Sequence, residues 1–169
     1  MGGNLDSESP QFRSCIRALK DIDFELAYLV LLTCQGLKPL SRWEKPLDDH
    51  VLGLLQQAGL LTKQITRTVK TGKKVVETIF SRAPAYIELY ERRFADTPID
   101  KSPETLRFEG FLFGYPPCCI EQYIRRPYTP NNIPSEDQKI LFHWACKNCK
   151  ITPTLLPAYK TIHNSLNSY

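Results

Sequence analysis

No apolar run in the sequence is long enough to cross a bilayer. The longest, Phe24 to Cys34, is broken by Glu25, and a span needs about 20 apolar residues. The first nine residues are polar and acidic, with neither a basic start nor an apolar core, which reads against a signal peptide. No Asn-x-Ser/Thr acceptor with an allowed middle residue occurs. Gly-x-Gly-x-x-Gly, a Gly-Lys-Ser/Thr phosphate loop, His-Glu-x-x-His and Gly-x-Ser-x-Gly are all missing. The motif classes for dinucleotides, nucleoside triphosphates, zinc proteases and serine hydrolases are thereby excluded. Internal repeats and low-complexity stretches are also lacking.

What is present is an ordinary globular composition: 169 residues, 42% hydrophobic and 24% charged, with net charge +4. That length suits one domain or two small ones. Six cysteines in a chain expected to work in the cytoplasm, away from membranes and with its thiols reduced, point to metal or redox chemistry more than to a disulfide frame.

The pattern along the chain predicts a mostly α-helical α+β fold. Residues 1–9 form a loose tail, and Ser9-Pro10 caps a helix to about Lys20. Asp23 caps a second helix to Cys34, apolar all round and hence central. A loop through Pro39, Trp43 and Pro46 leads to a third helix from Leu47 to Ala58. The β-branched segments on either side of Thr71-Gly72 form a hairpin over 64–80, followed by a helix from Pro84 to about Ala95. In the second half, Ser102-Pro103 opens a helix to Phe113, and Pro116-Pro117 opens another to about Arg125. Residues 126–134 are an irregular loop. Ser135 with Gln138 reads as a capping box for a helix toward Trp144, and a last helix runs from about Thr154 to Leu166. The expected organisation is a region 10–100 packed on a helical, cysteine-bearing region 101–169.

Four cysteines fall in the second region, as Cys118-Cys119 and within His143-Trp-Ala-Cys146-Lys-Asn-Cys149. Thiolate and imidazole are the ligands of closed tetrahedral zinc sites, and three-residue steps on a helix or a knuckle keep side chains near one face. Cys118 and Cys119 fall in the first turn of their helix, where the dipole and unpaired N–H groups favour thiolate. Neighbouring helical side chains point about 100° apart, so one of this pair is expected to join His143, Cys146 and Cys149 on zinc. Two alternatives stand beside this reading: an iron–sulfur cluster on all four cysteines, and a thiol enzyme with Cys118 or Cys119 as nucleophile and His143 as base. Cys15 and Cys34, single on apolar helices, read as core thiols. His50 and His163 read as solvated side chains, as do Glu109 and Glu121.

Residues 61–82 carry Lys63, Arg67, Lys70, Lys73, Lys74 and Arg82 against Glu77 alone, so the charge excess of the whole chain is concentrated on the hairpin. Such a patch is a footprint for nucleic-acid phosphate, with Lys63, Arg67, Lys70, Lys73 and Lys74 as contacts. Lysines on a hairpin also keep edge strands from pairing between molecules. Helix, Ala58-Gly59-Leu60-Leu61, then hairpin resembles a winged-helix module, which implies a groove-reading helix and a phosphate-touching wing. The helix before this hairpin departs from that pattern, since it begins with Asp48 and Asp49 and holds no lysine or arginine.

The segment Phe108-Glu-Gly-Phe-Leu-Phe-Gly-Tyr-Pro-Pro-Cys-Cys-Ile-Glu-Gln-Tyr123, with the later His143-x-x-Cys146-x-x-Cys149, is similar to an uncharacterised prokaryotic family prominent in archaea. That family carries Gly-[Tyr/Phe]-Pro-x-Cys-Cys and a later His-x-x-Cys-x-x-Cys-like segment. The resemblance covers about 40 residues of the C-terminal half and picks out Gly114, Pro116, Cys118, Cys119, His143, Cys146 and Cys149. It implies no reaction.

Overall fold

The computed structural model describes residues 9–169. The expected loose tail therefore lies, apart from Ser9, outside the described residues. The chain divides into two compact units, Met1–Ile99 with Ser168–Tyr169, and Asp100–Asn167.

In the first unit, α1 (Pro10–Ile22) starts where the Ser9 side chain accepts the Phe12 N–H, and α2 (Phe24–Cys34) starts where Asp23 accepts that of Leu26. Both caps satisfy first-turn N–H groups that have no partner within the helix. Every α2 residue from Leu26 to Thr33 is buried, as its uniform apolarity requires. The stretch after it is not all loop. Residues Leu40–Trp43 form strand β1, paired antiparallel with Thr78–Ser81. Four residues between two prolines carry too little pattern to reveal a strand. What holds it is non-local: Thr33 Oγ1 lies 2.8 Å from Ser41 Oγ, and Ser81 Oγ donates to Pro39 O at 2.6 Å.

Helix α3 (Asp49–Gln57) is capped by Asp48 and packs Val51, Leu54 and Leu55 inward. Strands β2 (Leu61–Thr68) and β3 (Lys74–Ser81) complete a three-stranded antiparallel sheet in the order β1-β3-β2. The connection between them is wider than a two-residue turn. Val69 N–H donates to Lys73 O at 2.9 Å, and Gly72 takes φ 82° within the loop, a conformation that glycine adopts without steric cost. Helix α4 (Pro84–Phe94) buries Ile87, Tyr90 and Phe94. The segment after it lies along β2, with Asp96 N–H on Thr66 O, Thr68 N–H on Thr97 O and Ile99 N–H on Thr68 O.

In the second unit, α5 (Pro103–Leu112) and α6 (Pro117–Arg125) are joined through Gly114 at φ 73°. They approach closely at Gly110, where an added Cβ would overlap Ile120. The expected capping box does not form. Helix α7 is only Ser135–Lys139, without a side-chain cap, because Gln138 is used elsewhere: its Nε2 donates to His143 O, and its Oε1 accepts from Asn131 Nδ2 and Ala145 N–H. Residues 140–151 are therefore turns rather than helix. Helix α8 (Thr152–Ser165) and a 3₁₀ turn (Leu166–Ser168) end the chain. The fold is mixed α+β and mostly helical, with a small antiparallel sheet and a C-terminal cysteine cluster. No helix among the described residues is long and apolar enough to cross a membrane.

Candidate metal centre

The site grows from three local structures. Pro116 and Pro117 start α6 and place Cys118 and Cys119 in its first turn. The Cys146–Cys149 segment folds into a tight turn, closed by Cys149 N–H on Cys146 O at 3.2 Å, with Asn148 in the left-handed region at φ 58°. The start of α8 supplies Thr152, whose N–H donates to Cys149 Sγ at 3.3 Å. Two helix N-termini thus serve the cluster, each bringing oriented N–H groups and partial positive charge to sulfur.

The Sγ atoms of Cys118, Cys119, Cys146 and Cys149 all lie within 4.8 Å of one another. Cys118 and Cys119 stand 3.7 and 3.5 Å from Cys149. The expectation that only one thiol of the adjacent pair reaches the site is corrected here: both do. Side chains in the first turn, with no preceding turn beneath them, diverge in direction yet still close on a group placed between them.

His143 is not part of the four-sulfur group. It is buried, and its Nε2 lies 2.9 Å from Thr152 Oγ1. The same hydroxyl lies 3.3 Å from Cys149 Sγ and 3.6 Å from Cys119 Sγ. The imidazole therefore reaches the sulfurs through Thr152, where spacing alone had suggested a ligand. Its neighbour Tyr115, ring centroids 5.4 Å apart, comes from the Gly-Tyr-Pro segment. Thr152 was not singled out by the sequence. Its only signal there is its position three residues after Cys149 and just ahead of Pro153, which fits a helix start.

The four thiols are electrostatically unlike. Burial works against the thiolate of Cys149, but hydrogen bonds from Thr152, the Cys119 thiol and the Ile151 backbone outweigh it and bring the group down to about 6. Cys119 goes the other way, up to about 11, chiefly through burial, although the Cys146 N–H at 3.3 Å opposes this. Burial raises Cys146 further still. Such a set takes up its first negative charge at Cys149, and a cation among the sulfurs would bring the others into the thiolate state. Cys119 and Cys146 are buried with Ala145, while Cys118 is exposed.

The remaining cysteines serve the first unit's interior. Cys15 Sγ donates to Leu54 O at 2.8 Å and Cys34 Sγ to Ala58 O at 3.5 Å. Burial raises both thiols, that of Cys34 to about 12. His50 is exposed, His163 half-buried, and Glu121 is held by Arg107 at 2.6 and 3.0 Å.

The basic hairpin residues separate. Lys70, Lys73 and Lys74 are exposed around the loop, and Lys63 pairs with Glu91 at 3.1 Å. Arg67 is 1% exposed, 3.8 Å from Glu77 Oε1, with its guanidinium 4.5 Å from the centre of the Phe94 ring. The strand alternation that buries Ile65 buries Arg67 too. Its charge belongs to the interior, where no nucleic-acid phosphate meets it, and the expected contact at Arg67 is corrected accordingly.

No protein-family model matches the sequence, and no curated protein or solved structure shows significant similarity to it.

Proposed function

We propose that the chain is a metal-binding protein whose second unit is closed around a single tetrahedral zinc ion by Cys118, Cys119, Cys146 and Cys149. The observation that carries this reading is the sulfur spacing. Four sulfurs about 2.3 Å from one zinc stand about 3.8 Å apart at tetrahedral angles, and the separations of 3.5 and 3.7 Å, all within 4.8 Å, fit that scale. An iron–sulfur cluster places several irons between its cysteines and needs a wider cage. The bound ion would join the start of α6 to the Cys146–Cys149 turn, where Cys119, Ala145, Cys146 and Cys149 are buried together. Its role is then structural, with all four positions filled by protein. The Gly-Tyr-Pro-x-Cys-Cys segment supports membership of the prokaryotic family it resembles. The sheet order β1-β3-β2 supports a winged-helix-like first unit, whose acidic Asp48 and Asp49 weigh against groove reading by α3.

The test is the metal content of purified protein alongside Cys146→Ser and Cys149→Ser. One zinc per chain is expected in the parent. Less than a tenth of that is expected in either variant, with stability lowered by several kcal/mol, about 3 or more. A metal-free parent, or variants of full stability, would overturn the reading. A coloured protein with iron in place of zinc would replace the ion.

A further inference from the structure

Beside the thiol cluster lies a surface that metal binding does not explain. Tyr128 is 64% exposed and holds φ 55°, a left-handed conformation that side chains other than glycine, asparagine and aspartate seldom adopt. It is fixed in place nonetheless. The Tyr123 hydroxyl donates to that of Tyr128 at 3.1 Å. The Tyr128 ring makes T-shaped contacts with Tyr123 at 5.3 Å and Trp144 at 5.5 Å. Neither contact is a face-to-face stack, and the exposure leaves most of the residue to solvent.

The loop carrying Tyr128 runs beside the cysteine turn. Trp144 Nε1 donates to Thr129 O at 2.7 Å, Asn131 Nδ2 to Ala145 O at 2.9 Å and Asn132 Nδ2 to Asn148 Oδ1 at 2.8 Å. The two strips bring exposed cations with them: Arg125 and Arg126 ahead of Tyr128, and Lys147 and Lys150 around Asn148. None of the four is in a salt bridge among the described residues, although the Arg125 charge acts on Glu121, one turn earlier on α6. Of the acids in this unit, Glu121 is held by Arg107 at 2.6 Å, Glu136 by Lys139 and Asp137 by Lys160, the last two at 2.7 Å.

We propose that this surface binds single-stranded nucleic acid, one base stacking on Tyr128 and the backbone phosphates meeting Arg125, Arg126, Lys147 and Lys150. An exposed, pre-positioned aromatic ring among exposed cations is the arrangement that holds a strand without reading its sequence. A duplex offers no free base face to the ring, so paired strands bind more weakly. The inference stands whichever metal fills the thiol cluster, and it concerns residues of the second unit, whereas the hairpin lysines belong to the first.

The test is fluorescence anisotropy of a dye-labelled oligouridylate of about 12 nucleotides with the full, metal-loaded chain at two salt concentrations. Tyr128→Ala is expected to weaken binding by about 5- to 150-fold, while Tyr128→Phe keeps it. The double change Arg125→Gln with Arg126→Gln is expected to weaken binding and flatten its salt dependence. Replacing Lys70, Lys73 and Lys74 by alanine leaves affinity within about two-fold. The proposal is overturned if the parent chain does not bind, if Tyr128→Ala binds as well as the parent, or if only the hairpin variant loses binding. Circular dichroism checks that Tyr128→Ala is folded. Should it not be, the arginine variant, altered only at exposed side chains, decides.

Discussion

Thr152 has a single hydroxyl proton and three groups around it that can use it: His143 Nε2, Cys149 Sγ and Cys119 Sγ. When the sulfurs are thiolates, the hydroxyl donates its hydrogen bond to sulfur, and the imidazole then donates its own Nε2–H to the hydroxyl oxygen. His143 thereby fixes the hydroxyl that feeds the thiolates. Partners of this kind, one bond removed from the metal, commonly contribute about 10- to 100-fold in affinity. Thr152→Val should accordingly weaken zinc binding by about that factor in competition with a chromophoric chelator, and Thr152→Ser should restore most of it. Equal affinity in the valine variant would show that the hydroxyl does not tune the site.

At the scale of elements, the segment after α4 is tied to the hairpin by three backbone hydrogen bonds and by the buried Arg67. Its guanidinium lies against Phe94, its Nη2 donates to Pro98 O at 3.4 Å, and it faces Glu77, which also accepts from the Tyr90 hydroxyl. Removing one partner of a buried ion pair costs about 3–5 kcal/mol when the other charge is left alone; here Arg42, also 3.8 Å from Glu77, and the Tyr90 hydroxyl remain, which places the cost at the lower end of that range. Arg67→Ala should lower unfolding stability by that order in denaturant titration. A loss below about 1 kcal/mol would mean that the pair is solvated.

The same element shows how far the sequence could be read. The caps at Ser9, Asp23 and Ser102, the apolar α2 and the β-branched hairpin are local signals, and the structure has each. Strand β1, the diversion of Gln138 and the burial of Arg67 depend on partners far along the chain, which no local pattern encodes. The cysteine cluster lies between these cases. Its members are visible as spacing, but whether both Cys118 and Cys119 join, and whether His143 binds or stands behind Thr152, is decided by a turn and a helix start meeting in space.

For the whole molecule, the rise of stability with pH has two sources of the same sign, the buried amine of Lys38 and the lowered thiol of Cys149. Lys38 is 2% exposed, and burial, with the Arg42 charge adding to it, pushes its ammonium down from 10.5 to about 7. Above pH 7 the unfolded chain keeps a proton there that the folded chain has lost, so unfolding takes up a proton and stability rises with pH. The opposite sign enters above about pH 9. Cys34 and Tyr159, each raised to about 12 by burial, stay protonated in the folded state while the unfolded groups ionise, and stability then falls. A maximum near pH 9 is expected in denaturation midpoints of the parent chain. In Lys38→Met the rise between pH 7 and 9 should become shallower, with the part that Cys149 contributes remaining. A parent whose midpoint falls steadily across that interval would contradict the assignment.

The central claim, a closed four-sulfur site with the imidazole outside it, is tested most directly by X-ray absorption at the zinc edge of the purified chain. Four sulfur neighbours at about 2.3 Å and no nitrogen are predicted. A nitrogen neighbour at about 2.0–2.1 Å beside three sulfurs would place His143 on the metal and contradict it.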